Sequence, residues 1–113
     1  MISNELINHV LKIQCIDFFI EGNDIWIEYE EKDNSWRCDS INIYEFTYKC
    51  KEFASICKYA ICAEMHYSNS NVVKLLEMHT NKGWFEPFKK TFKTEPEAIF
   101  KACKWILDNK DKK

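Results

Sequence analysis

The chain has 113 residues and a mass of 13.6 kDa, with 46% hydrophobic and 15% aromatic residues. That length fits a single domain over residues 1–113, with 108–113 as a frayed tail, and the apolar content argues against intrinsic disorder. The formal net charge is −2 and Arg37 is the only arginine. With almost no guanidinium forks to read guanine edges or clamp phosphates, a sequence-specific DNA reader is disfavoured.

A first helix is expected from about Ser3 to Ile13, with Ile2, Leu6, Val10 and Ile13 on one stripe. Ile16, Phe18 and Ile20 then alternate with Asp17, Phe19 and Glu21, and Ile25, Ile27 and Tyr29 alternate with Trp26, Glu28 and Glu30. Period two on both sides of Gly22-Asn23 predicts a hairpin in which Ile20 faces Ile25, Phe18 faces Ile27 and Ile16 faces Tyr29. Ser35 to Cys38 is expected to add at most a short third strand.

A second helix is signalled near Asn42, a cap residue with Glu45 three positions on. Its buried stripe would be Ile43, Phe46, Thr47, Cys50, Phe53, Ala54 and Cys57, leaving Tyr44, Tyr48, Lys51 and Ser55 outside. From Tyr59 the period returns to two, which predicts a strand, followed by a strand over Val72 to Thr80 and another over Trp84 to Phe92 after Gly83. Pro87 cannot donate to a ladder, so it marks an edge or a bulge. Thr94, Pro96 and Glu97 open a last helix that buries Ile99, Ala102, Cys103, Ile106 and Leu107. The expected fold class is α+β, an antiparallel sheet of about five strands packed with two or three helices, in the order α-β-β-(β)-α-β-β-β-α.

Six cysteines without a secretory leader predict a reducing, cytoplasmic location and buried thiols rather than disulfides. No apolar run approaches the roughly 20 residues that span a bilayer, so no membrane partner is expected. No Cys-x-x-Cys is present, and Cys57 and Cys62 lack a second pair or a placed His, so neither a metal nor any other cofactor is expected. Two glycines cannot build a phosphate loop of the dinucleotide or P-loop kind.

The remaining candidates are weighed on charge and surface. Residues 1–48 carry ten acids and three bases, residues 49–113 thirteen bases and eight acids. The series Glu21, Asp24, Glu28, Glu30, Glu31 and Asp33 either mimics a phosphate backbone for a basic partner or is a solvated hairpin face. Tyr44 and Tyr48, one turn apart beside Lys51, mark either a protein interface or dimer seam, or a face covered by another layer. His66 and His79 fall on strands expected to be neighbours and form a weak candidate polar cluster; ordinary half-exposed strand positions are the plainer reading. Lys89, Lys90, Lys93, Lys101 and Lys104, with Trp84 and Phe85 as stacking faces, would suit a nucleic acid, but the negative net charge argues against that partner.

Trp84-Phe85-Glu86-Pro87-Phe88 followed by Thr91-Phe92-Lys93-Thr94-Glu95-Pro96-Glu97-Ala98-Ile99-Phe100-Lys101-Ala102 resembles the C-terminal signature of the phage ABA sandwich domain family, most strongly over residues 84 to 107. The resemblance implies a sheet between helices and a phage or prophage origin in a host bacterium. It carries over no catalytic residues. The expected function is therefore non-enzymatic: an accessory protein that binds a host, phage or defence protein as an inhibitor or adaptor, with a homodimer as a further option. The alternative is a protein that sequesters a small ligand or nucleotide in a pocket at the sheet-helix or dimer interface.

Overall fold

The computed structural model describes residues 2–64, 71–79 and 83–109. Its elements run α1 (Asn4–Leu11), β1 (Gln14–Glu21), β2 (Asp24–Glu30), β3 (Trp36–Asn42), α2 (Ile43–Ile56), β4 (Tyr59–Glu64), β5 (Val72–His79), β6 (Gly83–Thr91) and α3 (Glu95–Asn109). The fold is α+β, but the expected five-stranded sheet is corrected to six strands in two antiparallel sheets, ordered β1-β2-β3 and β4-β5-β6. The chain divides into two compact units, 2–49 and 50–113, with the boundary inside α2. Among the described residues no helix is long and apolar enough to cross a membrane.

In the first unit, the Ser3 hydroxyl accepts from Leu6 N–H at 3.1 Å to cap α1, and Lys12 ends the helix at φ 58, so α1 is shorter than the expected stretch to Ile13. Its buried residues are Leu6 and Ile7. Gly22 turns the hairpin at φ 62 while Asn23 keeps negative φ, the pattern of a II′ turn, which suits the twist of the strands it joins. Ile20 pairs with Ile25 and Phe18 with Ile27 as the alternation requires, but Ile16 is squeezed out as a bulge and Cys15 takes its place opposite Tyr29. Ile25 and Ile27 are buried, so the β2 side bearing them is the inner face. β3 extends over seven residues, Trp36–Asn42, rather than the expected four; Ser35 precedes it and only Trp36 to Cys38 of the expected segment belong to it.

In α2, Asn42 Oδ1 accepts from Tyr44 N–H at 2.9 Å as a cap. Phe46, Thr47, Cys50 and Ala54 are buried, with Tyr44, Tyr48, Lys51 and Ser55 exposed, as the spacing predicts. Lys58, at φ 71, ends the helix. The second unit then builds its core from Ala54, Tyr59, Val73, Leu75, Phe88, Phe92, Ala98, Ala102 and Ile106. Trp105 stands edge-on to Tyr59, with ring centroids 5.8 Å apart, and tilts against Phe88 at 6.1 Å. Pro87 lies in an edge strand and beside a bulge, since the register of β5 with β6 slips by one residue between Leu75 and Glu77.

α3 opens on Thr94, whose hydroxyl accepts from Glu97 N–H at 3.4 Å, while Glu97 Oε2 accepts from Lys93 N–H at 3.1 Å and Oε1 meets Lys101 Nζ at 3.0 Å. The Lys101 ammonium first, and then the Lys93 amide, hold the Glu97 carboxyl below the usual glutamate range. A depressed carboxylate stabilises the fold above its unfolded pKa and loses that contribution as pH falls through the lower folded value. Thr94→Ala should therefore cost about 1 kcal/mol at neutral pH. Glu97→Gln should flatten the acid limb of a melting-temperature profile recorded below the ordinary glutamate pKa of about 4.3; an unchanged acid limb would contradict this.

Candidate interaction surface

Strand pairing sorts the first sheet into two faces. Opposite its buried isoleucines, the outer face carries the cross-strand rows Glu21-Asp24-Asn42, Phe19-Trp26-Ser40, Asp17-Glu28-Cys38 and Gln14-Glu30-Trp36. Phe19 and Trp26 are stacked, with centroids 6.2 Å apart and planes at 10°. Phe19 is 51% exposed and Trp36 70%. Five carboxylates, from Asp17, Glu21, Asp24, Glu28 and Glu30, frame these rings, and no lysine or arginine shares the face. Two acid pairs, Glu21 with Asp24 and Asp17 with Glu28, sit directly opposite each other. Like charges in that position repel, which makes the bare face a natural receptor for positive charge.

The candidates read from sequence separate here. Glu28 and Glu30 belong to the outer face. Glu31 instead ion-pairs with Arg37 at 3.1 Å, and its N–H donates to Ser35 O at 2.9 Å. Asp33 accepts from the Ser35 hydroxyl at 2.6 Å and the Ser35 amide at 3.0 Å, and these two bonds, the hydroxyl's foremost, hold its carboxyl below the usual aspartate range. With Asn34 at φ 67, these groups build the β2–β3 turn. An open cleft of about 790 Å³ runs between this turn and Lys12–Gln14, lined by Glu30, Glu31, Asp33 and two lysines among others.

Tyr44 and Tyr48 are 60% and 64% exposed on α2. Lys51 is engaged by Glu95 of α3 at 3.2 Å. His66 and the side chain of His79 lie outside the described residues, as do those of Trp84 and Phe85. Of the basic group, Lys101 is held by Glu97 and by Thr91 O, and Lys104 by Asp108. Cys50 and Cys103 are buried together, the Cys103 thiol donating to Cys50 O at 3.6 Å, and the neighbouring Cys103 and burial push the Cys50 thiol up; Cys38 is the exposed thiol among the described residues.

Sequence reasoning did not single out the exposed rings of Phe19 and Trp36, nor the half-buried Trp26 stacked on Phe19, as a contact surface. Phe19 and Trp26 do occupy the polar phase of two alternating strands, the one signal that could have marked them. No protein-family model matches the chain, and no curated protein or solved structure is similar to it at a significant level.

Proposed function

We propose that the protein acts by non-catalytic protein binding and that the outer face of the β1-β2-β3 sheet is the contact surface. The observation that supports this reading is exposed Phe19, stacked on the half-buried Trp26, together with exposed Trp36, all set among five carboxylates. Rigid rings supply contact area at low entropic cost, and the surrounding acids steer a basic partner surface and fix its orientation. An inhibitor or adaptor role on a host, phage or defence protein belongs to the same proposal, and its phage or prophage setting rests on the resemblance of residues 84 to 107 alone.

The test is affinity capture from a bacterial lysate with wild-type protein, the Glu28→Gln/Glu30→Gln variant and the Tyr44→Ala/Tyr48→Ala variant side by side. A partner that is retained by the tyrosine variant, weakened by the glutamine variant and released by salt supports the reading, because exposed charges are screened with a Debye length of about 8 Å at physiological ionic strength. A partner lost only with the tyrosines places the contact on α2 instead. Thermal stabilisation by a small metabolite with no protein captured would favour ligand sequestration.

A further inference from the structure

The two edges of the first sheet are treated differently. Along β1, polar side chains occupy the backbone groups that face away from β2: Asn8 Oδ1 accepts from Cys15 N–H at 2.6 Å, Asn4 Nδ2 donates to Ile16 O at 3.2 Å, and Asp17 Oδ1 accepts from Phe18 N–H at 2.8 Å. A bulge further interrupts that edge. These are familiar devices against strand addition. Among the described residues, β3 has neither side-chain caps on its outward backbone nor a bulge, and it contains no proline or glycine; six of its seven residues are exposed, and its only charges are the opposite pair Arg37 and Asp39.

The hydrogen-bond phase shows which groups are open. Glu31 N–H donates to Ser35 O and Ile43 N–H donates to Asn23 O, so along the intervening register the odd-numbered residues of β3 spend their backbone groups on β2. Trp36, Cys38 and Ser40 turn theirs outward, and among the described residues nothing meets them.

We infer that a second copy of this chain occupies that edge, β3 pairing antiparallel with β3 about a two-fold axis at Cys38 to give one continuous six-stranded sheet. The charge pattern selects both the occupant and the register. β3 carries two charges, Arg37 and Asp39, and centring on Cys38 sets each Arg37 opposite the partner's Asp39, twice by symmetry. Centring on residue 37 or 39, the neighbouring registers with the same hydrogen-bond phase, sets arginine against arginine or aspartate against aspartate. In the Cys38 register, Trp36 and Ser40 exchange main-chain bonds with their counterparts, and both copies keep Trp36 and Glu28 on the same outer face. This pairing uses only the β3 edge and is independent of what the outer face binds.

Sedimentation over a concentration series tests it, with mild diamide oxidation as a register probe. In a hydrogen-bonded pair the two Cys38 Cα atoms lie about 5.5 Å apart, within disulfide reach. The expected result is a reversible dimer that diamide links through Cys38 and not in Cys38→Ala. Ser40→Pro removes an outward N–H while sparing β2 and should raise the dissociation constant by roughly tenfold or more. Arg37→Asp alone should weaken the dimer by about tenfold and the Arg37→Asp/Asp39→Arg double change should restore it. If Ser40→Pro fails to fold by circular dichroism, the charge-swap series decides. A wild-type monomer at every concentration, a dimer indifferent to these changes, or a dimer abolished only by Tyr44→Ala/Tyr48→Ala would overturn the inference.

Discussion

Leu75→Ala should cost about 3–4 kcal/mol of unfolding free energy, enough to remove a large share of the roughly 5–15 kcal/mol that holds an ordinary domain together. Leu75 is fully buried in β5, the central strand of the second sheet, where it lies opposite Ile61 on β4 and Phe88 on β6. Truncation removes its transfer free energy and leaves a void. Sheet hydrogen bonds on both sides of β5 prevent the strand from shifting to fill that void, so little of the cost is recovered by relaxation. Leu75→Met, which conserves volume, should cost less than about 1.5 kcal/mol. Leu76→Ala, on the opposite side of the strand and half-buried, should cost about 1 kcal/mol, near the centre of the range for single substitutions. Urea melts of the three variants give the comparison, and an equal loss for Leu75→Ala and Leu76→Ala would show that the buried layer is not where the structure puts it.

How much of this was readable in the sequence depended on how local the cause was. The caps at Ser3, Asn42 and Thr94 act within one turn, and the two latter residues announced their helices from sequence alone. Gly22 and the alternation around it gave the pairing of Ile20 with Ile25, since a two-residue loop leaves the register little freedom. Ile16 escaped because a bulge is decided by what the strand meets; here Asn4 and Asn8 of α1 bind the backbone at Ile16 and Cys15 and accommodate the irregularity. β3 read too short for a related reason. A strand paired on one side and exposed along most of its length has no burial to impose an alternation, and Cys38-Asp39-Ser40 shows none. The split into two sheets was invisible because sheet membership is fixed by non-local pairing.

The candidate surface was legible only in part, and charge was the part that came through. The acid-rich N-terminal half is there in the composition, but composition cannot say that Glu31 and Asp33 are consumed by the β2–β3 turn while Asp17 and Glu28 confront each other on the outer face. Tyr29 shows the same limit. It falls in the apolar phase of β2, yet its hydroxyl donates to Asp39 Oδ2 at 2.5 Å, and that bond foremost holds the phenol above the usual tyrosine range. Asp39 therefore supplies an intramolecular acceptor as well as a negative charge on β3. The Asp39→Arg half of the charge swap removes both, so melting temperature should be followed alongside dimerisation.

Phe19→Ala and Trp36→Ala should together remove most of the partner affinity while leaving the fold almost unchanged, a separation that few other positions in this chain would give. Each ring is more than half exposed, so little buried area is lost from the free protein, and surface changes of this kind usually stay within about 0.5 kcal/mol of wild-type stability. Phe19 adds its stack on Trp26, so its replacement should cost somewhat more than that of Trp36. In a complex the balance reverses. Aromatic anchors at the centre of a desolvated patch commonly account for about 2 kcal/mol or more each, so the pair should weaken binding by roughly three orders of magnitude. Replacing Glu28 and Glu30 by glutamine should act mainly on the association rate and its salt dependence, since long-range attraction steers encounter whereas ring burial governs release. Surface plasmon resonance with the captured partner distinguishes the two: faster release for the aromatic variants and slower association for the acid variants are expected, and unaltered release after loss of both rings would remove the outer face as the contact surface.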